Sequence, residues 1–86
     1  MEERIIDCSA IRTQEDLHRL FRETLCFPDW YGNNLDGLYD CLTDCTGTVR
    51  LLNWDIAENH LGAYGKKVKK VIGAAALRNT ALDLYL

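Results

Sequence analysis

The sequence predicts a small α/β domain in which a three-stranded parallel sheet packs with helices in the order β-α-α-β-α-α-β. The chain has 86 residues, enough for a single domain over residues 1–86. Hydrophobic residues make up 48% and charged residues 27%, as in soluble globular proteins. Short segments with strand character alternate with segments of helical periodicity, and helical crossovers are typical of parallel strands.

The first half of the chain contains one predicted strand and two predicted helices. Residues 4–8 are rich in β-branched side chains and predict the first strand. Thr13 is a good N-cap and is followed by acidic residues, and apolar residues then recur at helical spacing. Residues 13–25 therefore predict an amphipathic helix, which ends before Pro28. After a loop rich in aromatic residues, Asn34 caps a second helix that is expected to reach about Cys45.

The second half contains two predicted strands around two further helices. Residues 48–54 predict the second strand, and Asp55 is expected to cap a short helix over residues 56–61. After Gly62, a longer helix covers about residues 64–77, with apolar residues on its inner face. Residues 80–86 alternate with a period of two and predict the last strand.

Composition and charge disfavour several classes of protein. The net charge of −3 disfavours direct nucleic-acid binding. No apolar run approaches the length of about 20 residues that a membrane span needs, and no apolar signal-peptide core follows the charged start. We therefore expect a cytoplasmic protein without a membrane segment, and a domain of this size is expected to be a monomer when free.

The cysteines predict neither a metal site nor a cofactor. In a reducing compartment they are expected to be buried small apolar residues rather than disulfide partners. Their spacing contains no C-x-x-C pair, although two of them, one helical turn apart, could share a metal. The histidines show no spacing that would complete such a site. The four cysteines are Cys8, Cys26, Cys41 and Cys45.

The helix that begins after Asn34 has two distinct faces. At 100° per residue, its leucines and cysteines form one apolar stripe, and Asp36, Asp40 and Asp44 form a second stripe about 160° away. Like charges one turn apart destabilise a helix, and Asp44 also opposes the helix dipole. An ordinary solvated face would mix charges of both signs. A row of acids beside aromatic residues expected to be exposed therefore predicts a surface that binds a cationic partner. These aromatic residues are Trp30, Tyr31 and Tyr39.

An enzymatic interpretation is also open, because Asp36 and Asp40 could act as an acid/base pair, as in glycosidases. Neighbouring carboxylates on a convex helix, however, lack the water-excluded pocket that shifts carboxyl pKa values. The sequence has no Ser–His–Asp set, phosphate-binding glycine loop or H-E-x-x-H motif. His18 and His60 are expected to be surface or interface-filling residues. We therefore expect no catalytic activity.

Residues 27–43, with the sequence FPDWYGNNLDGLYDCLT, carry the pattern P-x-[aromatic]-Y-G-x-N-x-D-x-L-[aromatic]-D-x-L. Together with Leu17 and His18 before it and the LLNW segment at residues 51–54, this stretch resembles the barstar family. Barstar is the bacterial intracellular inhibitor of the secreted ribonuclease barnase. The order of the predicted elements matches the family across nearly the whole chain.

The resemblance implies a three-stranded parallel sheet packed with helices, and no catalytic activity. It also implies that the aromatic loop and the acidic helix plug a ribonuclease active site. By matched position, Asp40 takes the place of a substrate phosphate, Asp36 is the second principal acid, and Trp30 packs over the catalytic histidine region. The partner is then a basic barnase-like ribonuclease. The predicted partner contacts are Trp30, Tyr31, Gly32, Asn34, Leu35, Asp36, Tyr39, Asp40 and Asp44.

The sequence departs from the family pattern at several contact positions. Barstar has Tyr in place of Trp30 and Trp in place of Tyr39, which keeps an aromatic ring at both. It has Gly and Trp in place of Asp44 and Cys45, so the row of acids here is longer and one rim aromatic is missing. A further interface acid of the family corresponds to Ala74.

One more departure lies inside the acidic helix, where Gly37 replaces a helix-favouring Ala at a cost of about 0.5–1 kcal/mol. Taken together, the departures leave a second function open. The chain could be a barstar-like interaction or immunity module for another toxin nuclease or for a different basic protein.

Overall fold

Three parallel strands form one sheet, β1 (Glu3–Asp7), β2 (Gly47–Leu52) and β3 (Leu82–Tyr85), in the spatial order β1-β2-β3. The computed structural model describes residues 3–86. On the central strand, the buried side chains of Val49 and Leu51 lie opposite Arg4 and Ile6 of β1. The predicted α/β fold with three parallel strands is confirmed.

Four helices connect the strands in the predicted order. They are α1 (Gln14–Leu25), α2 (Leu35–Thr43), α3 (Trp54–Leu61) and α4 (Ala63–Arg78). A 3₁₀ turn (Cys8–Ala10) between β1 and α1 was not predicted. Helix α1 begins as expected: the Thr13 hydroxyl accepts a hydrogen bond from the Asp16 backbone N–H at 3.1 Å, and the Asp16 carboxylate accepts one from the Thr13 N–H at 3.2 Å.

Several element boundaries differ from the prediction by one or two residues, and β3 begins at Leu82 rather than at residue 80. Strand β2 ends at Leu52, and Trp54 already belongs to α3. The expectation that Asp55 caps α3 is wrong, because the N-cap is Asn53, whose backbone is left-handed with φ of 58°. This conformation turns the chain sharply from strand to helix, which places Asp55 in the first helical turn. Helix α2 ends at Thr43, two residues earlier than expected.

The core lies between the sheet and the helices, and α2 packs mainly against α4. Phe21 of α1, Leu38 and Leu42 of α2, Val49 of β2 and Val68 of α4 are fully buried within it. Burial of each such side chain stabilises the fold by about 1.5–3 kcal/mol. Helix α2 is therefore fixed to the rest of the domain by its apolar stripe.

The cysteines are only partly as expected. Cys8 and Cys41 are buried and Cys45 is half-buried, but Cys26 is exposed, so the expectation that all four are buried is wrong. Cys26 is the C-cap of α1 and has a left-handed backbone with φ of 55°, where the chain leaves the helix and the core. Across residues 3–86, no helix is long and apolar enough to cross a bilayer.

Candidate partner-binding surface

The three aspartates of α2 lie on its solvent-facing side, as the helical spacing predicted. Asp36, Asp40 and Asp44 are all exposed, whereas Leu38 and Leu42 on the opposite side are fully buried. We call the three carboxylates the acidic ridge. The apolar stripe fixes the rotation of α2, so the ridge is held outward by a packed helix rather than by a mobile loop.

The acidic ridge is not neutralised within the described part of the chain. The two ion pairs found among residues 3–86 join Arg19 to Asp16 at 2.9 Å and Arg50 to Glu3 at 2.7 Å, and neither includes an acid of α2. The four lysines clustered at residues 66–70 are exposed on α4. The ridge carboxylates are therefore available to cations from outside the domain.

The N-terminus of α2 is fixed by Asn34. Its side-chain oxygen accepts a hydrogen bond from the Gly37 N–H at 2.7 Å, as expected of an N-cap, and its side-chain nitrogen donates to the Gly32 carbonyl at 3.4 Å. A Cβ on Gly32 would lie 2.8 Å from that nitrogen, so a side chain at Gly32 would displace the cap. Asn34 thus joins the preceding loop to the first turn of α2.

The two aromatic residues of the loop differ in exposure. Trp30 is 63% exposed, as expected, although tryptophan is highly buried on average. Tyr31 is only 5% exposed, so the expectation that it is an exposed aromatic is wrong. The Tyr31 backbone N–H donates to the Pro28 carbonyl at 3.0 Å, and this turn directs the two successive side chains to opposite environments.

Trp30 is adjacent to the end of the acidic ridge. Trp30 and Asp44 line one cleft of about 260 Å³, together with Cys45 and Arg4. Leu35 and Tyr39, the other predicted contacts on α2, are half-buried against the core and present only part of their side chains. Loop and ridge therefore form a continuous exposed region, which we call the acidic-aromatic surface.

Beneath this surface, the buried side chain of Tyr31 is hydrogen-bonded to His18 of α1. His18 is 2% exposed, so of its two expected positions, at the surface or filling an interface between elements, it occupies the second. Its Nδ1 forms a hydrogen bond with the Tyr31 hydroxyl, and its Nε2 forms one of 2.7 Å with the hydroxyl of Tyr64 on α4. Burial lowers the pKa of His18 and raises the pKa of Tyr31.

A usable sequence signal for the burial of His18 does exist. On α1, His18 lies about 20° from Leu25 around the helix axis, within the stripe of apolar residues. A histidine on an apolar stripe requires polar partners, and those partners are Tyr31 and Tyr64. They lie 13 and 46 residues away along the chain, beyond the reach of any local pattern.

Comparison with known protein families identifies the family to which the chain belongs. The family model described as "Barstar (barnase inhibitor)" matches residues 1–84. This chain belongs to the barstar family. A Bacillus subtilis (strain 168) protein named "Putative ribonuclease inhibitor YrdF" is similar to it, with 41% identity over 78 residues that cover 87% of this chain and 86% of that protein. The resemblance found in the sequence is thereby confirmed.

Within this barstar-family chain, most of the predicted contact residues lie in one region. The acidic-aromatic surface brings together Trp30, the Asn34 cap and the acids of α2, while Tyr31 lies beneath it. Ala74 is exposed on α4 and provides no charge. Among residues 3–86, no group of three or more histidine, cysteine or acidic side chains is arranged to hold a metal ion. The side chains that this surface exposes most are thus the three carboxylates and the Trp30 ring, with parts of Leu35 and Tyr39 beside them.

Proposed function

We propose that this barstar-family protein inhibits a secreted, basic, barnase-like ribonuclease in the cytoplasm of the cell that produces it. The observation that carries the proposal is the acidic ridge: three exposed carboxylates on a packed helix, which form no ion pair with any residue of 3–86, next to an exposed tryptophan. The presence of four free cysteines, one of them exposed, fits a reducing compartment.

The chemistry of the target supports this use of the ridge. An enzyme that cleaves RNA must hold a phosphate among cationic side chains, and a carboxylate accepts the same charge-assisted hydrogen bonds. Asp40, in the middle of the ridge, replaces the phosphate, and Asp36, one turn earlier, meets a second cation. Since α2 is already folded and capped, aligning these charges costs little conformational entropy on binding.

Trp30 supplies the apolar part of the interface. A tryptophan presents about 150–250 Å² of surface, of which more than half is accessible here. Its burial against the nuclease would contribute about 3 kcal/mol at 25 cal/mol per Å². Large aromatic anchors flanked by charges are typical of protein interfaces whose binding energy is concentrated in a few residues.

The same features favour an inhibitor over an enzyme. Asp36 and Asp40 lie on an exposed helix face, where water screens their charges and no enclosed site holds a substrate against them. The proposed activity is therefore tight binding alone.

The test is inhibition of purified barnase by wild type and by Asp40→Asn, with Asp83→Asn as the matched control. Asp83 is an exposed acid on β3, outside α2. Asp40→Asn should raise the inhibition constant more than about 30-fold, equivalent to about 2 kcal/mol. The control should stay within about twofold of wild type. Association with wild type should also slow as salt increases, because charge steering is screened.

Two results would contradict the proposal in different ways. If Asp40→Asn destabilised the fold yet inhibited as well as wild type, the acidic ridge would be a structural feature. If wild type left barnase fully active but captured another nuclease from its source organism, and Asp36→Ala with Asp40→Ala abolished this capture, the interaction-module function would replace ours.

A further inference from the structure

His18 connects three separate parts of the domain beneath the acidic-aromatic surface. The histidine belongs to α1, Tyr31 belongs to the loop between α1 and α2, and Tyr64 belongs to α4. A neutral imidazole has one donor and one acceptor nitrogen, so one tyrosine hydroxyl accepts from His18 while the other donates to it. Both ring nitrogens are thereby satisfied, as a buried histidine requires.

Tyr31 transmits this arrangement to the surface above it. Its ring contacts the Phe27 ring edge-on, with centroids 4.9 Å apart, and its backbone closes the turn onto Pro28. The ring also lies against the first turn of α2, where a Cβ on Gly37 would come within 3.2 Å of it. Trp30 directly precedes Tyr31 in the chain, so the position of Tyr31 determines where the Trp30 side chain projects from the surface.

We infer that His18 and Tyr64 are positioning residues of the ribonuclease-binding surface: by holding the Tyr31 hydroxyl, they fix the loop that presents Trp30 beside the acidic ridge. Neither residue is required to touch the partner. The inference rests on the proposed function for its consequence in binding, but the ordering of the loop is a property of the free protein. Order established before binding removes a cost from association.

The environment of His18 determines how this device responds to pH. The charged and titratable groups around it are Glu15, Arg19 and Arg22 on α1, Tyr31 on the loop and Tyr64 on α4. Protonation makes both ring nitrogens donors, so the hydroxyl that donated to the ring must rotate its hydrogen and accept instead, and the buried ring now carries a charge. Among residues 3–86, the Tyr31 hydroxyl has His18 as its one hydrogen-bond partner. A buried imidazolium favours openings that admit water to the ring, so protonation should loosen the loop.

The first test uses the free protein and is independent of any nuclease. The chain has two tryptophans, exposed Trp30 and buried Trp54, so fluorotryptophan labelling gives a reporter on the loop and an internal control in the core. Tyr64→Phe removes one hydroxyl, and Tyr85→Phe, on the exposed side of β3, is the matched control. Fluorine NMR should show the Trp30 signal shifted or broadened in Tyr64→Phe, and unchanged in Tyr85→Phe.

The second test follows the dissociation rate of the barnase complex. Tyr64→Phe and His18→Gln should each increase the dissociation rate about tenfold, which corresponds to the loss of about one buried hydrogen bond. Because burial lowers the pKa of His18, the wild-type Trp30 signal should move towards that of His18→Gln only when the pH falls well below the ordinary histidine value of about 6.5, and the signal of His18→Gln should stay constant. His60→Gln, which replaces the other histidine, is the control for both readouts.

The outcomes separate the inference from the proposed function. A pH-dependent Trp30 signal that His18→Gln abolishes supports the inference even if wild type does not bind barnase, a result that would overturn only the ribonuclease target. If Tyr64→Phe and His18→Gln lower the melting temperature but leave the Trp30 signal and the dissociation rate unchanged, the hydrogen bonds only stabilise the fold, and the inference is wrong.

Discussion

Replacing Gly37 by alanine tests whether Tyr31 is held rigidly beneath the acidic-aromatic surface. In an ordinary helix interior this change stabilises by about 0.8–1 kcal/mol, because glycine loses more backbone entropy on folding. Here the new Cβ would lie 3.2 Å and 3.4 Å from two ring carbons of Tyr31, and 3.3 Å from the side-chain oxygen of Asn34. These separations are shorter than an ordinary van der Waals contact.

The sign of the effect depends on whether those neighbours can move. The Tyr31 ring is 5% exposed, is bonded to His18 and abuts Phe27. The Asn34 oxygen already accepts the Gly37 N–H at 2.7 Å. Added atoms in packed surroundings cost about 1–3 kcal/mol, which offsets the whole gain in helix propensity. The free energy of unfolding of Gly37→Ala should therefore be between equal to that of wild type and about 2 kcal/mol lower.

Two other helical glycines calibrate the measurement by denaturant unfolding. A Cβ on Gly73 of α4 meets nothing within 4 Å, so Gly73→Ala should gain about 0.8–1 kcal/mol and raise the melting temperature by about 4–8 °C. A Cβ on Gly65 would lie 2.9 Å from the backbone Cα of Glu58, so Gly65→Ala should lose stability. If Gly37→Ala stabilised as much as Gly73→Ala, Tyr31 would be free to shift, and our account of the loop would be refuted.

Two further predictions concern the histidine and the thiols. Because burial lowers the pKa of His18, the unfolded chain binds a proton before the folded one as the pH falls below about 6.5. The free energy of unfolding, measured by urea titration, should then decrease by at most about 1.4 kcal/mol per pH unit until folded His18 is protonated. The His18→Gln variant should lack this decrease. An identical slope in both proteins would contradict the assignment of the pH dependence to His18. Limited alkylation of the native protein, followed by mass spectrometry, should modify exposed Cys26 before buried Cys8. The reason is that burial, together with the charge of Asp7, raises the pKa of the Cys8 thiol to about 12, and the thiolate is the reactive form. Modification of Cys8 first would show that the core opens.

The fold was predictable because its signals are local. The N-cap Thr13 and the apolar repeat after it define α1 within one residue, and the spacing of Asp36, Asp40 and Asp44 places them correctly on the exposed side of α2. Both features depend only on helix geometry. The failure at Asp55 has a local cause too, since a good N-cap residue type is outweighed by the left-handed turn at Asn53.

The structure beneath the surface was not predictable in this way. Tyr31 stands in a loop between two helices, where an aromatic residue is as compatible with exposure as with burial. Its burial depends on His18 and Tyr64, which reach it from two other elements. The same contact explains Gly37, for which the family resemblance indicated only a helix-propensity cost. The first turn of α2 lacks a side chain there because the Tyr31 ring occupies the space.

The surface and the residues beneath it should therefore respond to mutation in opposite ways. Each like-charge pair on the acidic ridge costs α2 a few tenths of a kcal/mol, whereas each buried leucine below it contributes about 1.5–3 kcal/mol. Removing the Asp40 or Asp44 carboxylate should thus leave the free protein as stable or slightly more so while binding weakens, whereas Asp36, in the first turn of α2, also gains from the helix dipole. Removing a hydroxyl around His18 leaves a buried polar group without its partner, so stability and binding should fall together. Destabilisation of the free protein by the loss of Asp40 or Asp44 would break this division, because it would show that the carboxylate has an internal partner.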